Sequence, residues 1–268
     1  VCVDGTGLER IVVSGGVTQD DYRINGGRYE EFKYQFIETA LKDIKSQVSQ
    51  QIQIRTDTFG TIIDDEKITW MIVNYGYSSD DLVKFNEAAD LWGVELIMID
   101  SVFDFINYVN TKNTEGGSNI SRLDDPITRF SNYSHGLINV IGWGYNVPHA
   151  ELYTEGLALN FYTELIELLD PAAFKDCYSI FYSCNTGSES GGASFAQEWV
   201  NKTNGVARAV VDGQTSYKYI NVAGINLLDW LDKFAARESR NSHGFSYSGS
   251  VNYPIAALGI IWNDFQSQ

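Results

Sequence analysis

Cysteine and histidine are both scarce here, with three of each in 268 residues. The cysteines, Cys2, Cys177 and Cys184, are odd in number and irregular in spacing, which excludes a disulfide framework. Cys177 and Cys184 fall on one expected strand, too far apart along an extended chain to bond each other. The few histidines and cysteines make no zinc-ligand spacing. Positive charge is also short. Nineteen Lys and Arg face 35 Asp and Glu, for a formal net charge of −16. Such a surface repels phosphate backbones and anionic lipid, so neither nucleic acid nor a membrane surface is an expected partner. Cationic peptides or calcium suit it better. No apolar run nears the roughly 18 residues of a membrane span. The opening VCVDGTGLER is polar and resembles no secretory leader, and the expectation is a fragment of a longer polypeptide. No repeat and no low-complexity block appears.

What is present is core material, 44% hydrophobic and 13% aromatic, enough for a large domain. Short apolar runs alternate with helical patterns. Strands are expected at 9–15, 67–74, 94–100, 127–136, 177–184, 206–212 and 253–262. Helices are expected at 29–48, 78–93, 101–110, 157–170 (stopped by Pro171), 192–203 and 226–237. The best marked is 78–93, with serine and aspartate at its start, a Leu82–Phe85–Ala89–Trp92 stripe and a closing glycine. Residues 111–126 have turn composition throughout and are expected to form a long exposed loop. This alternation predicts an α/β fold, a mostly parallel central sheet flanked by helices on both faces. Residues 1–66 are expected as a strand–helix extension on the same sheet as a main domain of 67–268, together one compact unit.

In such sheets ligands bind beyond the carboxyl ends of the strands. His135, in FSNYSHG, and Cys184, in YSIFYSCNTG, each follow a strand and precede a glycine-containing turn. The segment between them has room for a helix and a return strand, so their strands can be neighbours. A cysteine nucleophile needs a partner that favours the thiolate, and a histidine can supply this and protonate a leaving amine. The backbone N–H groups of Gly136 and Cys184 are candidate oxyanion-hole donors, and the helix starting near Gly192 would bring a positive dipole end. The plain alternative is an inert buried cysteine and a hydrogen-bonded loop histidine.

Other candidates are weaker. His243, in NSHGFSYSG, would give the papain-like order, but papain-like cysteines open a helix rather than close a central strand. His149 follows a proline in a surface-type loop. The acidic clusters IIDDE (62–66) and SRLDDP (121–126) lack calcium-loop periodicity. No cofactor is expected, with calcium the one ion left open by these clusters. VVSGG lacks the spacing of a phosphate loop or a nucleophile elbow.

The order SHG, helix, SCN, small-residue loop, helix resembles the caspase-like (clan CD) cysteine peptidases. These include caspases, gingipains, clostripain and the self-cleaving domains of large clostridial and RTX toxins. YSCNTGSESGGASFAQEWVNKTNGVARAV is closer still to the caspase-like domains of large bacterial surface and RHS-repeat proteins, and LERIVVSGG resembles the entry to such domains. The likeness is strongest over 127–216, extends over 67–262 and fades in the first 66 residues. It implies a cysteine endopeptidase, possibly self-processing and part of a larger exported bacterial protein or toxin. Its implied general base and acid is His135, its nucleophile Cys184 and its oxyanion donor Gly136, with no obligate cofactor. The implied substrate is a peptide, a protein or the chain itself. In this family the loop after the strand following the catalytic helix, here DGQTSYKY (212–219), helps shape the pocket before the cut. Asp212 would there favour arginine or lysine; the alternative is a solvated Asp-Gly turn. The chain departs from the inositol-hexakisphosphate-activated toxin domains, whose basic pocket its acidic balance does not supply. A catalytically silent binding or adhesion module is the non-enzyme alternative, and 16 tyrosines and six tryptophans would suit its surface.

Overall fold

The computed structural model describes residues 7–16, 34–57, 66–117, 122–144, 159–189, 191–212, 215–216, 255–256 and 261–267. The apolar runs become β1 (Glu9–Ser14), β2 (Lys67–Val73), β3 (Glu95–Ile99), β4 (Ile127–Tyr133), β8 (Phe174–Tyr182) and β9 (Val206–Asp212), joined by β12 (Ile261–Gln266). They form one seven-stranded sheet in the order β12-β9-β8-β4-β1-β2-β3. Every neighbouring pair is parallel except β9–β12. The chain is therefore an α/β fold with a mostly parallel, mixed seven-strand sheet and helices packed against it.

The continuous apolar runs are explained by burial on two faces. In β1, Val12 points to one face and Ile11 and Val13 to the other. The Val12 face is covered by α1 (Gln35–Asp57) and α2 (Ser79–Trp92) through Phe36, Ile37, Leu41, Ile44 and Phe85, against Trp70 and Ile72. The opposite face is covered by α3 (Val102–Thr111) and α4 (Phe195–Thr203) through Phe105, Val109, Phe195 and Trp199, against Met71, Phe130 and Phe181. Local chemistry sets the helix ends. Ser78 and Asp81 form a reciprocal capping box on α2, and Gly93 closes that helix at φ 64°. Ser101 and Asp104 repeat the box on α3.

Several expectations are corrected. The strand expected over 127–136 ends at Tyr133. His135–Leu137 forms a separate strand, β5, in a small antiparallel sheet with β6 (Val140–Gly142) and β7 (Asn160–Tyr162). The helix expected over 157–170 is β7 followed by a 3-10 turn at Thr163–Leu168, and Pro171 opens the next 3-10 turn rather than stopping a helix. In 253–262 the described residues form β11 (Ile255–Ala256), paired with β10 (Thr215–Ser216), and the start of β12. Cys177 lies inside β8, and Cys184 is two residues beyond its end. The 111–126 segment is not exposed throughout, since Arg122 is 2% exposed. The helix expected at 226–237 lies outside the described residues.

The seam between α1 and β4 carries buried polar side chains. Gln47 is 1% exposed, and neither its amide nitrogen nor its amide oxygen has a hydrogen-bond partner among the described residues. A buried amide without partners costs stability relative to an apolar group of similar shape. Gln47→Met is expected to raise unfolding stability by about 1–2 kcal/mol, read as a higher urea midpoint with an unchanged slope. A lower midpoint would mean that Gln47 is satisfied in solution.

Candidate active site

The rim beyond the carboxyl ends of β4 and β8 is built by register. These strands are parallel neighbours with Asn132 opposite Phe181 and Tyr133 opposite Tyr182. One step further, the Ser134 and Ser183 hydroxyl oxygens are 3.1 Å apart. His135 opens β5 and Cys184 lies in the turn after β8, and Gly136, next to His135 in the chain, packs against the Cys184 backbone. Two residues earlier, Tyr133 and Tyr182 stack on the α1 face at 4.8 Å with 8° between the rings. The His135 ring meets Phe36 of α1 edge-on at 5.2 Å. His135 and Cys184 are both half-buried.

Beneath them lies a buried polar brace. Asn132 Nδ2 donates to Ser183 Oγ at 2.7 Å and to Ser134 Oγ at 2.8 Å. Trp143 Nε1, on β6's trailing end, donates to Asn132 Oδ1 at 2.8 Å. The Ser134 hydroxyl donates to the His135 carbonyl at 2.8 Å. Each fully buried polar atom in this group thus has a partner, which orders the two strand ends relative to each other. Sequence reasoning passed over these three small residues. The shared signal was a serine immediately before both the histidine and the cysteine, at the end of otherwise apolar strands.

Gly136 is where two backbones come close. A β-carbon there would stand 2.6 Å from the Cys184 carbonyl oxygen, 2.7 Å from Ser183 Cβ and 2.9 Å from the Cys184 nitrogen. Only glycine fits without a backbone shift. The β5–β6 hairpin has a two-residue turn, with Leu137 opposite Val140 and Gly136 opposite Ile141. In that geometry Leu137–Val140 exchanges the ladder hydrogen bonds and Gly136–Ile141 does not. The Gly136 N–H therefore points away from β6. The glycines of VVSGG serve a similar close approach: a β-carbon on Gly15 would lie 2.8 Å from Ser134 Cβ.

After Cys184 the chain turns through Asn185, at φ 56°. Thr186 binds this turn twice, its hydroxyl donating to the Ser183 carbonyl at 3.1 Å and its own carbonyl accepting from Ala196 N–H at 3.0 Å. The first turn of α4 is thereby tied to the Cys184 loop, and Ser194 caps that helix by accepting from Gln197 N–H. Asp212 ends β9, opposite Ile261 of β12. β9 runs parallel to β8, so Asp212 closes it on the same rim. Beside the last residues of β9 stand Gly187, whose N–H donates to the Val210 carbonyl at 2.8 Å, and Ser188, whose hydroxyl donates to the Val211 carbonyl.

Cys177 offers the contrast. It is fully buried, and burial pushes its thiol up to about 12, with the Ser179 hydroxyl and the Arg129 charge opposing in part. It is a packing residue. Cys2, His149 and His243 lie outside the described residues. Among the described residues no group of three or more His, Cys, Asp or Glu is placed to hold a metal ion, and no helix is long and apolar enough to cross a membrane. Compared with known proteins, the chain matches no family model, no curated protein and no solved structure.

Proposed function

We propose that this chain is a cysteine endopeptidase of the caspase-like kind, with Cys184 as nucleophile and His135 as general base and acid. The observation that supports it is that β4 and β8 are parallel neighbours, with His135 and Cys184 each two residues beyond a carboxyl end and Gly136 packed against the Cys184 backbone. In the proposed reaction the Cys184 sulfur bonds to the scissile carbonyl carbon as its proton passes to His135. The tetrahedral adduct's oxyanion is held by the Gly136 N–H, which lies outside the hairpin ladder. Collapse breaks the C–N bond, and His135 returns the proton to the departing amine. Water then attacks the thioester and gives its proton back through His135, which releases the acid and restores the thiol. Asp212, on the next strand of the same rim, is the proposed partner for a basic residue before the cut.

A thiol-reactive peptide probe and a peptide library test this together. The native protein is expected to label at Cys184, to lose that label in His135→Ala, and to keep Cys177 unlabelled until it is unfolded. Library peptides, or the chain's own backbone, are cut by the wild type and not by Cys184→Ala. Equal labelling of wild type and His135→Ala, with no peptide cut, would defeat the proposal and leave a silent binding module on this fold.

A further inference from the structure

The turn of the β5–β6 hairpin breaks the usual chemistry of such turns. Two-residue hairpin turns favour glycine, asparagine and aspartate, with positive φ at the first central position or at both. Here the central residues are Ile138 and Asn139, and only Asn139 has positive φ, at 65°. A β-branched apolar residue thus occupies the first turn position, 43% exposed, beside Leu137 at 45%. Scattered exposed apolar side chains are ordinary and need no explanation. This pair differs in two ways. First, the turn is held rigidly: the Asn139 carbonyl accepts from the Thr163 N–H at 3.0 Å and from the Thr163 hydroxyl at 2.8 Å, and the hairpin's other arm is anchored by buried Ile141 and Trp143. Second, it lies directly after His135. Strand alternation puts Leu137 on the same face of β5 as His135, one pleat further along.

Chemistry then orients a bound peptide. The residue that protonates the departing amine must stand on the leaving side of the scissile bond. Resting on the peptidase reading above, we propose that Leu137 and Ile138 form the subsite for the first residues after the cut and select an apolar side chain there. The substrate class becomes a peptide bond followed within two positions by Leu, Ile, Val or Phe. The exposed pair supplies an apolar shelf on a fixed backbone, and the turn tolerates isoleucine because Asn139 carries the left-handed position.

The test is cleavage of a peptide library varied on both sides of the bond, by wild type, Leu137→Ser/Ile138→Ser, Leu137→Val/Ile138→Val and Cys184→Ala. Wild type is expected to prefer apolar over serine on the leaving side by about tenfold or more, the scale set by one hydrophobic contact in a pocket. The serine variant should lose that preference, seen in KM more than in kcat, while its Cys184 still takes the thiol probe. The valine variant should keep it. Cleavage by wild type with no leaving-side preference, or a preference equal in the serine variant, overturns the subsite and leaves the peptidase reading standing. No Cys184-dependent cleavage of any peptide overturns both.

Discussion

Arg122→Ala is expected to cost about 3–5 kcal/mol of unfolding stability, the scale for removing one partner from a buried ion pair. Arg122 and Glu9 are ion-paired with both side chains wholly inaccessible to solvent. The pair sits at the amino ends of the strands, opposite the His135–Cys184 rim. Arg122 also donates from Nε to the Val109 carbonyl at 2.9 Å, from Nη2 to the Tyr108 carbonyl at 3.0 Å and from Nη1 to the Asp125 carbonyl at 3.1 Å. Two of these carbonyls belong to the last turn of α3, so one guanidinium closes a helix and fixes the start of β1. Glu9 in turn accepts from Thr69 and, at 2.7 Å, from the Tyr108 hydroxyl. Alanine would leave the carboxylate buried without its countercharge. The double replacement Glu9→Leu/Arg122→Met is expected to recover part of the loss, because no charge is then stranded.

The same pair predicts acid sensitivity. Burial pushes the Glu9 carboxyl up, but the Arg122 charge and the hydrogen bonds from Arg122, Thr69 and Tyr108 outweigh it, and the carboxyl is held below the usual 4.5. A carboxyl lowered by folding contributes stability above its unfolded value, and the contribution is lost as pH falls through the folded value. Wild-type stability should therefore fall as pH drops below 4.5. The gap to Arg122→Ala should narrow over the same range, since the variant's Glu9 keeps the Thr69 and Tyr108 hydrogen bonds but loses the Arg122 charge and hydrogen bond that oppose burial, and so protonates first. Urea unfolding across that range measures both. A gap that stays constant or widens toward acid would mean that Arg122 acts through its carbonyl contacts alone.

Much of this fold was legible because the signals were local. β1, β2, β3 and β9 match their apolar runs nearly residue for residue, and α2 begins and ends where Ser78 and Gly93 say it should. Failures came where meaning depends on distant partners. Phe161 and Ile166 fall in one expected helix, yet Phe161 belongs to a three-stranded sheet opposite Ile141 and packs on Phe105, Trp143 and Phe195. A short apolar run cannot by itself separate these outcomes. Arg122 sits in turn-rich sequence that implied exposure, and only tertiary carbonyls and Glu9 explain its burial. The direction of β12, antiparallel at the sheet edge, has no local signature. At the candidate site the strand-end placement of His135 and Cys184 was readable. The Asn132–Ser134–Ser183 brace was not, because it exists only once β4 and β8 are in register.

Gly136→Ala is expected to lower turnover by about 10²- to 10³-fold, the scale for a lost oxyanion donor or a misplacement near 1 Å. The added methyl would have to push away the Cys184 carbonyl and amide, both backbone atoms that no rotamer change can move aside. The shift therefore falls on the segment carrying the proposed nucleophile and on the N–H proposed to hold the oxyanion. Ser183 Cβ takes the same collision, so the brace to Asn132 and Ser134 should loosen as well. A general loss of folding is separated from a local one by Cys177. That thiol is sealed inside β8, far from the rim, and remains unlabelled as long as the sheet is intact. The expected pattern is a protected Cys177, a cooperative melt and a large loss in kcat with KM little changed. An alanine variant that turns over peptides like wild type would show that Gly136 and Cys184 lie further apart in solution, and would remove the oxyanion role assigned to this glycine.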